Sequence, residues 1–155
     1  MNAQIFIILI LLTGCTIAGN TTTEKTTIGV SLPQSGFAAT MGEYVHQGVE
    51  LALENTNTEQ FNIVYEDDKC TAREGRNVAE ALVHVHKAKY IIGPFCTPVI
   101  IPTLKFYDTT NTIRFITGLG VDLFTNKSKQ QFVFLGDVNT LMKPLAEYAS
   151  KNNHL

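Results

Sequence analysis

The residues with the most chemical content lie between Tyr90 and Pro98, in the run Tyr-Ile-Ile-Gly-Pro-Phe-Cys-Thr-Pro. Tyr90 to Ile92 read as a short buried strand, and Gly93-Pro94 as the punctuation that ends it. Thr97 followed by Pro98 reads as a helix start: the Thr side chain accepts from free backbone amides, and Pro fits the first helical position. A helix that begins at the carboxyl end of a buried strand aims unpaired N–H groups into the crevice above the sheet. That place suits a small anion or a carboxylate. Cys96 sits in the same turn. A second group of interest is Glu66-Asp67-Asp68-Lys69-Cys70. Its acids invite a metal or acid–base reading, but no third ligand group lies nearby, so a hydrated, loop-ordering acidic cluster is preferred.

Other reactive side chains form no constellation. His84 and His86, two apart on a helix, point to different sides, and His86 shares the apolar stripe, which favours a partly buried structural role. Ser31 and Ser35 lie in no nucleophile elbow, and no Gly-rich phosphate fingerprint follows the first strand. An enzyme is therefore not expected, nor is a metal or other cofactor. The chain has 155 residues and a formal charge of −2. That length suffices for one α/β domain but not for two lobes, and the absence of a basic footprint argues against nucleic acid as a partner.

The amino terminus carries a continuous apolar run, Ile5 to Leu12, ended by Thr13-Gly14-Cys15. It is too short to span a bilayer, which takes about 20 apolar residues, but it has the length of a signal-peptide core. Leu12-Thr-Gly-Cys15 resembles the lipobox of prokaryotic lipoproteins, in which the Cys is acylated and becomes the new amino terminus. Residues 1–14 are then expected to be a signal peptide, and 15–27 a lipidated Cys15 followed by a Thr-rich tether. An uncleaved apolar anchor is the alternative. Both place the remainder outside the cytoplasm, in the periplasm or at the cell surface, held to the membrane. With Cys15 assigned to lipid, Cys70 and Cys96 remain, and an even remainder in an oxidising space favours one disulfide. Two buried free thiols are the alternative.

The elements that must position these groups alternate along the chain. Strands are expected at 28–32, 61–65, 90–92, 113–117 and 131–135. Between them fall a small-residue loop (34–42) feeding a helix with Val45, Val49, Ala52 and Leu53 on one stripe, and a second helix carrying Gly75, Val78, Ala79, Leu82 and Val83. A third helix runs from Pro98 to about Tyr107. A last one is capped by Asn139, with Leu141, Met142, Leu145 and Ala149 turned inward. The alternation predicts an α/β fold: an open, mainly parallel five-stranded sheet with helices on both faces and ligand loops at the carboxyl ends of its strands.

Taken together, residues 28–155 resemble the amino-terminal lobe of type I periplasmic binding proteins, nearest the Leu/Ile/Val-binding receptors of branched-chain amino-acid ABC transporters. The matching pieces are Ile28 to Gly36 with Gly42, Gly48 with Leu51-Ala52, Glu66 to Cys70, Ile91 to Thr97, and Pro144 to Ala149. The resemblance implies a disulfide between Cys70 and Cys96. It also implies that Thr97 binds a ligand α-carboxylate through its hydroxyl and backbone N–H, and that Met41 lies against the ligand side chain. Leu119, Gly120 and Val121 would supply backbone contacts from the loop after the fourth strand, where Val121 lacks the hydroxyl the family places there. The family has a second lobe, which this sequence does not contain; a second chain supplying it is one expectation. A single wall cannot close like a hinge, so an affinity no better than about millimolar is expected.

The implied function is an extracytoplasmic solute-binding protein, or its amino-terminal half, that captures amino acids or similar small solutes and delivers them to an ABC permease. A ligand-sensing ectodomain or interaction module, and a truncated inactive product, are the alternatives.

Overall fold

The computed structural model describes residues 24–118, 128–135 and 138–152. Its elements in chain order are β1 (Thr26–Leu32), α1 (Ala39–Glu54), β2 (Phe61–Asp67), α2 (Ala72–Glu80, continued by a π-helical turn over Ala81–Val85), β3 (Tyr90–Ile92), α3 (Thr97–Thr109), β4 (Ile113–Ile116), β5 (Gln131–Val133) and α4 (Val138–Lys151). The β-branched and aromatic runs take the strands, and the segments with i, i+3, i+4 apolar recurrence take the helices.

All five strands are parallel, in the order β2-β1-β3-β4-β5. The register sets Val30, Ile92, Phe115 and Phe132 side by side on one face, and Gly29, Ile91, Arg114 and Gln131 on the other. The two faces are filled unequally. On the second, Ile91 packs with Val78, Ala79 and Leu82 of α2 and Tyr107 of α3, and Ile100 meets Ile116. On the first, α1 lays Val45, Val49 and Leu53 over Val30, Leu32, Ile63 and Tyr65. Helices therefore lie on both faces, and among the described residues α1 alone serves the first.

The second face also holds a polar network. The buried Arg114 guanidinium donates to Thr103 Oγ1 (2.7 Å) and to Gln131 Oε1, and sits 4.7 Å above the Tyr107 ring. Gln131 Nε2 donates in turn to Asp108 Oδ1 at 2.8 Å. Burial pulls the Arg114 pKa down to about 10, so the group stays charged near neutral pH. The network ties α3 to β4 and β5, and so holds the helix whose first turn lies at the candidate site.

Two expectations for the last helix are corrected. It begins at Val138, which places Asn139 in its first turn rather than at a cap. Its apolar side chains Leu141, Met142 and Leu145 do not turn inward: none of its described residues is buried. The stripe is present, but no described element covers it.

Candidate functional site

Parallel strands end together, so the loops after β1, β2 and β3 meet on one rim. The acids after β2 organise that rim. Asp67 accepts from the amides of Gln34 (2.9 Å), Ser35 (3.3 Å) and Lys69 (3.0 Å) and from Ser35 Oγ (2.6 Å). Partial burial alone would raise its pKa, but these hydrogen bonds outweigh it, led by the one from Ser35, and hold the carboxyl below the ordinary range. Asp68 is fully buried and accepts from Ser31 Oγ and the Cys70 amide, both at 2.9 Å. Burial pushes its pKa up, with the Asp67 charge adding to the effect and the two hydrogen bonds opposing it. The acidic cluster thus orders the loops as expected, but it is not hydrated throughout: Asp68 is buried. Among the described residues, no three His, Cys, Asp or Glu side chains gather as metal ligands.

The same turn delivers the disulfide. Lys69 (φ 51°) and Cys70 (φ 57°) both take the left-handed conformation, which swings the chain back toward β3. Because β2 and β3 flank β1, their ends stand about 10 Å apart, and the loops close that gap. Cys70 and Cys96 form a disulfide, with their Cα atoms 5.4 Å apart. The cystine is buried against Ala38, Phe95 and Val99. It therefore joins the start of α2 to the start of α3, and the start of α1 packs against it. Thr71, next to Cys70, caps α2 by accepting from the Glu74 amide. Three helix starts converge on one cross-link.

Thr97 is exposed at this rim, but its role differs from that of a cap. Cys96, extended at φ −85° and ψ 128°, occupies the cap position, and Thr97 is the first residue of α3. The Val99 and Ile100 amides already reach the Cys96 carbonyl (2.9 and 3.0 Å), and Pro98 has no N–H. The first turn therefore offers one open amide, that of Thr97, rather than several. Its hydroxyl likewise has no protein partner among the described residues. The residue at the cap position is thus the one held in the bridge to Cys70. Met41 is half-exposed in the first turn of α1, three residues beyond the Ala38 that packs on the cystine. Leu119, Gly120, Val121 and Cys15 lie outside the described residues.

Three close approaches that sequence patterns alone did not reveal fix the rim. A Cβ on Gly42 would stand 1.9 Å from the Pro33 carbonyl oxygen, one on Gly93 (φ 97°) 2.0 Å from that of Ser31, and one on Gly118 2.1 Å from that of Phe95. The backbones of β1, β3, β4 and their loops thus touch where only glycine fits. The Ser31–Asp68 and Ser35–Asp67 pairs were also not legible, because both link segments more than thirty residues apart. His86 pairs with Glu66 at 3.1 Å and is partly buried, the structural role its stripe implied; the exposed His84 faces Glu80 instead. A larger cavity, about 640 Å³, lies away from this rim against the first face of the sheet, and its walls are almost wholly apolar. No charged side chain lines it, and its few polar side chains are Thr56, Tyr90 and Thr117.

The sequence profile of the family described as periplasmic binding protein matches residues 25–154. Among curated proteins, the chain is 31% identical over 115 residues to a Leu/Ile/Val-binding protein homolog 2 of Brucella abortus, covering 70% of this chain and 31% of that protein. It is 33% identical over 97 residues to an amino acid binding protein of Pseudomonas aeruginosa, covering 59% of this chain and 26% of that one. Among solved structures, a leucine binding protein of Thermotoga maritima superposes with a TM-score of 0.77 at 21% identity, covering 83% of this chain and 38% of its own. A solute binding protein of Rhodopseudomonas palustris, in complex with 3,4-dihydroxy benzoic acid, gives 0.76 at 17%, covering 83% and 36%. The chain thus spans about a third of the length of the relatives it matches. With five parallel strands, cystine-pinned helix starts and a profile that covers nearly all the described residues, this chain belongs to the periplasmic binding protein family.

Proposed function

We propose that residues 28–155 form one wall of a solute site, the amino-terminal lobe of an extracytoplasmic receptor that captures amino acids or other small carboxylates for an ABC importer. The observation that carries the reading is Thr97. The residue is exposed and its amide and hydroxyl are unpartnered among the described residues, at the start of a helix whose dipole favours negative charge. The solutes named for the similar structures include leucine in one case and 3,4-dihydroxy benzoic acid in another, and the carboxylate is what they share. On this reading Met41 contacts the remainder of the solute, and the backbone at Leu119 to Val121 meets its polar end. The second lobe comes from further protein, on this chain or another, and Cys15 carries the lipid that anchors the receptor.

Amide NMR titration of the chain with leucine, benzoate and the uncharged amide of each tests the site. Carboxylates are expected to move the Thr97 resonance with a dissociation constant of about a millimolar or weaker, since one wall leaves the solute half solvated. Thr97→Val should weaken this about tenfold by removing one hydrogen bond to a charged group. Equal shifts from acids and amides, or none at Thr97, would overturn the assignment. Micromolar affinity would refute the single-wall argument. Mass spectrometry of the membrane fraction checks acylation at Cys15.

A further inference from the structure

Parallel strands have two ends, and the solute rim occupies only the carboxyl one. At the amino end two clefts flank the start of β3. One, of about 170 Å³, is lined by Glu24, Lys25, Thr26, Thr27, Lys87 and Lys89. The other, of about 500 Å³, shares Lys87 and Lys89 and adds Thr110, Asn111 and Thr112 before β4. Three exposed lysines thus share one small surface, and among the described residues none of them forms an ion pair. Lys87 follows the last turn of α2, where a cation meets the helix dipole favourably. Lys25 and Lys89 stand before strands and gain nothing from that dipole. Glu24 is the one acid lining either cleft. The other acids of this end lie apart or are engaged. Glu59, before β2, and Glu54, at the end of the helix over β1 and β2, fall on the far side of β1 from β3. Asp108, at the end of α3, is held by Ser128 and Gln131.

Glu24 and Lys25 are also where the chain arrives from its amino terminus. Nine residue steps separate Cys15 from Glu24, a reach of at most about 32 Å. We propose that this end of the sheet, led by Lys25, Lys87 and Lys89, is a seat for an anionic phospholipid surface, and that it turns the solute rim away from the membrane. The inference rests on the membrane-held reading of residues 1–27, since the anchor is what keeps this end nearest the bilayer. The Thr97 rim stands a strand's length beyond it, about 23 Å for the seven residues of β1. Lipid phosphates supply the negative charge that the lysines lack within the fold, and the threonine hydroxyls of both clefts can donate to the same oxygens. With Glu24 offsetting one lysine, the net of two charges favours the seated orientation about 30-fold over one with this end turned away. A single lipid chain holds a protein only marginally, and a basic patch beside it is the second signal that makes the attachment firm.

Lysine acetylation by a water-soluble reagent, read residue by residue by mass spectrometry, tests the seat on the full chain bound to vesicles. Neutral phosphatidylcholine vesicles are compared with vesicles that also carry about 30% phosphatidylglycerol. Flotation with the neutral vesicles tests the anchor, and shielding of particular lysines tests the seat, so the two readings fail separately. On anionic vesicles Lys25, Lys87 and Lys89 should react about fivefold more slowly or less, while Lys69, at the carboxyl rim, changes by less than about twofold. About 0.5 M NaCl should abolish the difference. Lys87→Gln combined with Lys89→Gln should return Lys25 to its rate on neutral vesicles. Arg73→Gln combined with Arg76→Gln, which removes the same charge from the exposed side of α2, should leave the shielding intact. All four side chains are exposed, so folding is not at stake. Equal slowing at Lys69, no slowing at the three lysines, or shielding that survives the lysine substitutions would overturn the proposal. Loss of the shielding on adding about 10 mM inorganic phosphate at constant ionic strength would also overturn it, since that result marks a discrete phosphate site rather than a lipid surface.

Discussion

Replacing both Cys70 and Cys96 with Ala probes the joint on which the candidate site depends. The bridge closes a loop with a sequence separation of 26. For a loop of that length the chain-entropy relation puts the stabilisation at about 3.5 kcal/mol at 25 °C. The sulfurs are also buried against Ala38 and Val99, so the double substitution removes some packing as well, on the order of 1 kcal/mol. The expected loss is therefore about 4 kcal/mol, a large share of the roughly 5–15 kcal/mol that holds a domain of this size together. With a urea slope of roughly 2 kcal/mol/M, the unfolding midpoint followed by circular dichroism should fall by about 2 M. Reducing the wild-type bond should reproduce most of the shift, since only the packing contribution differs. The variant should still fold: Asp68 continues to hold the Cys70 amide, and Asp67 the loop after β1. A change below about 1 kcal/mol would refute the reasoning, because it would mean that the bridge restrains nothing the unfolded chain could otherwise explore.

Two further outcomes follow from the rim. Gly93→Ala should destabilise by about 3 kcal/mol or more, since its Cβ would stand 2.0 Å from the Ser31 carbonyl oxygen at a φ of 97°; the urea midpoint checks it, and a loss under 1 kcal/mol would contradict the close approach. The paired acids should respond to pH in opposite senses. Asp67 has a depressed folded-state pKa, so its contribution is complete above the unfolded value of about 3.9 and is lost as pH falls through the lower folded one. Asp68 has a raised one, so its charge works against the fold as pH rises through the window from the unfolded value to the higher folded one. Asp68→Asn keeps the bond from the Cys70 amide on Oδ1 and lets Nδ2 donate to Ser31 Oγ, whose hydroxyl turns to accept, so the protein should be at least as stable at pH 7, with the advantage gone at pH 3. A clear loss at pH 7 in urea unfolding would show that the ionised form is needed.

Much of the fold was legible because its signals are local. The apolar runs at Ile28, Phe61, Tyr90, Ile113 and Gln131, each followed by turn residues, placed five strands within a few residues of their observed bounds. Their alternation with helical stripes required parallel pairing. The Cys70–Cys96 contact was legible by count and by resemblance. The helix start at Thr97 was misplaced by one residue: Thr-Pro is a good local start, but Cys96, the residue held in the bridge to Cys70, takes the cap position. The last helix carried a correct stripe with the wrong expectation, since a stripe states that a helix has an apolar side and not where its cover lies.

The sequence by itself determined the periods, the breaks and the chemistry carried on each loop, because these depend on neighbours a few residues apart. Only the tertiary structure decided which groups meet: Ser31 with Asp68, Ser35 with Asp67, and the Gly93 α-carbon against the Ser31 carbonyl. Those contacts join segments separated by tens of residues. Their formation depends on the strand order β2-β1-β3-β4-β5, which local propensity does not contain.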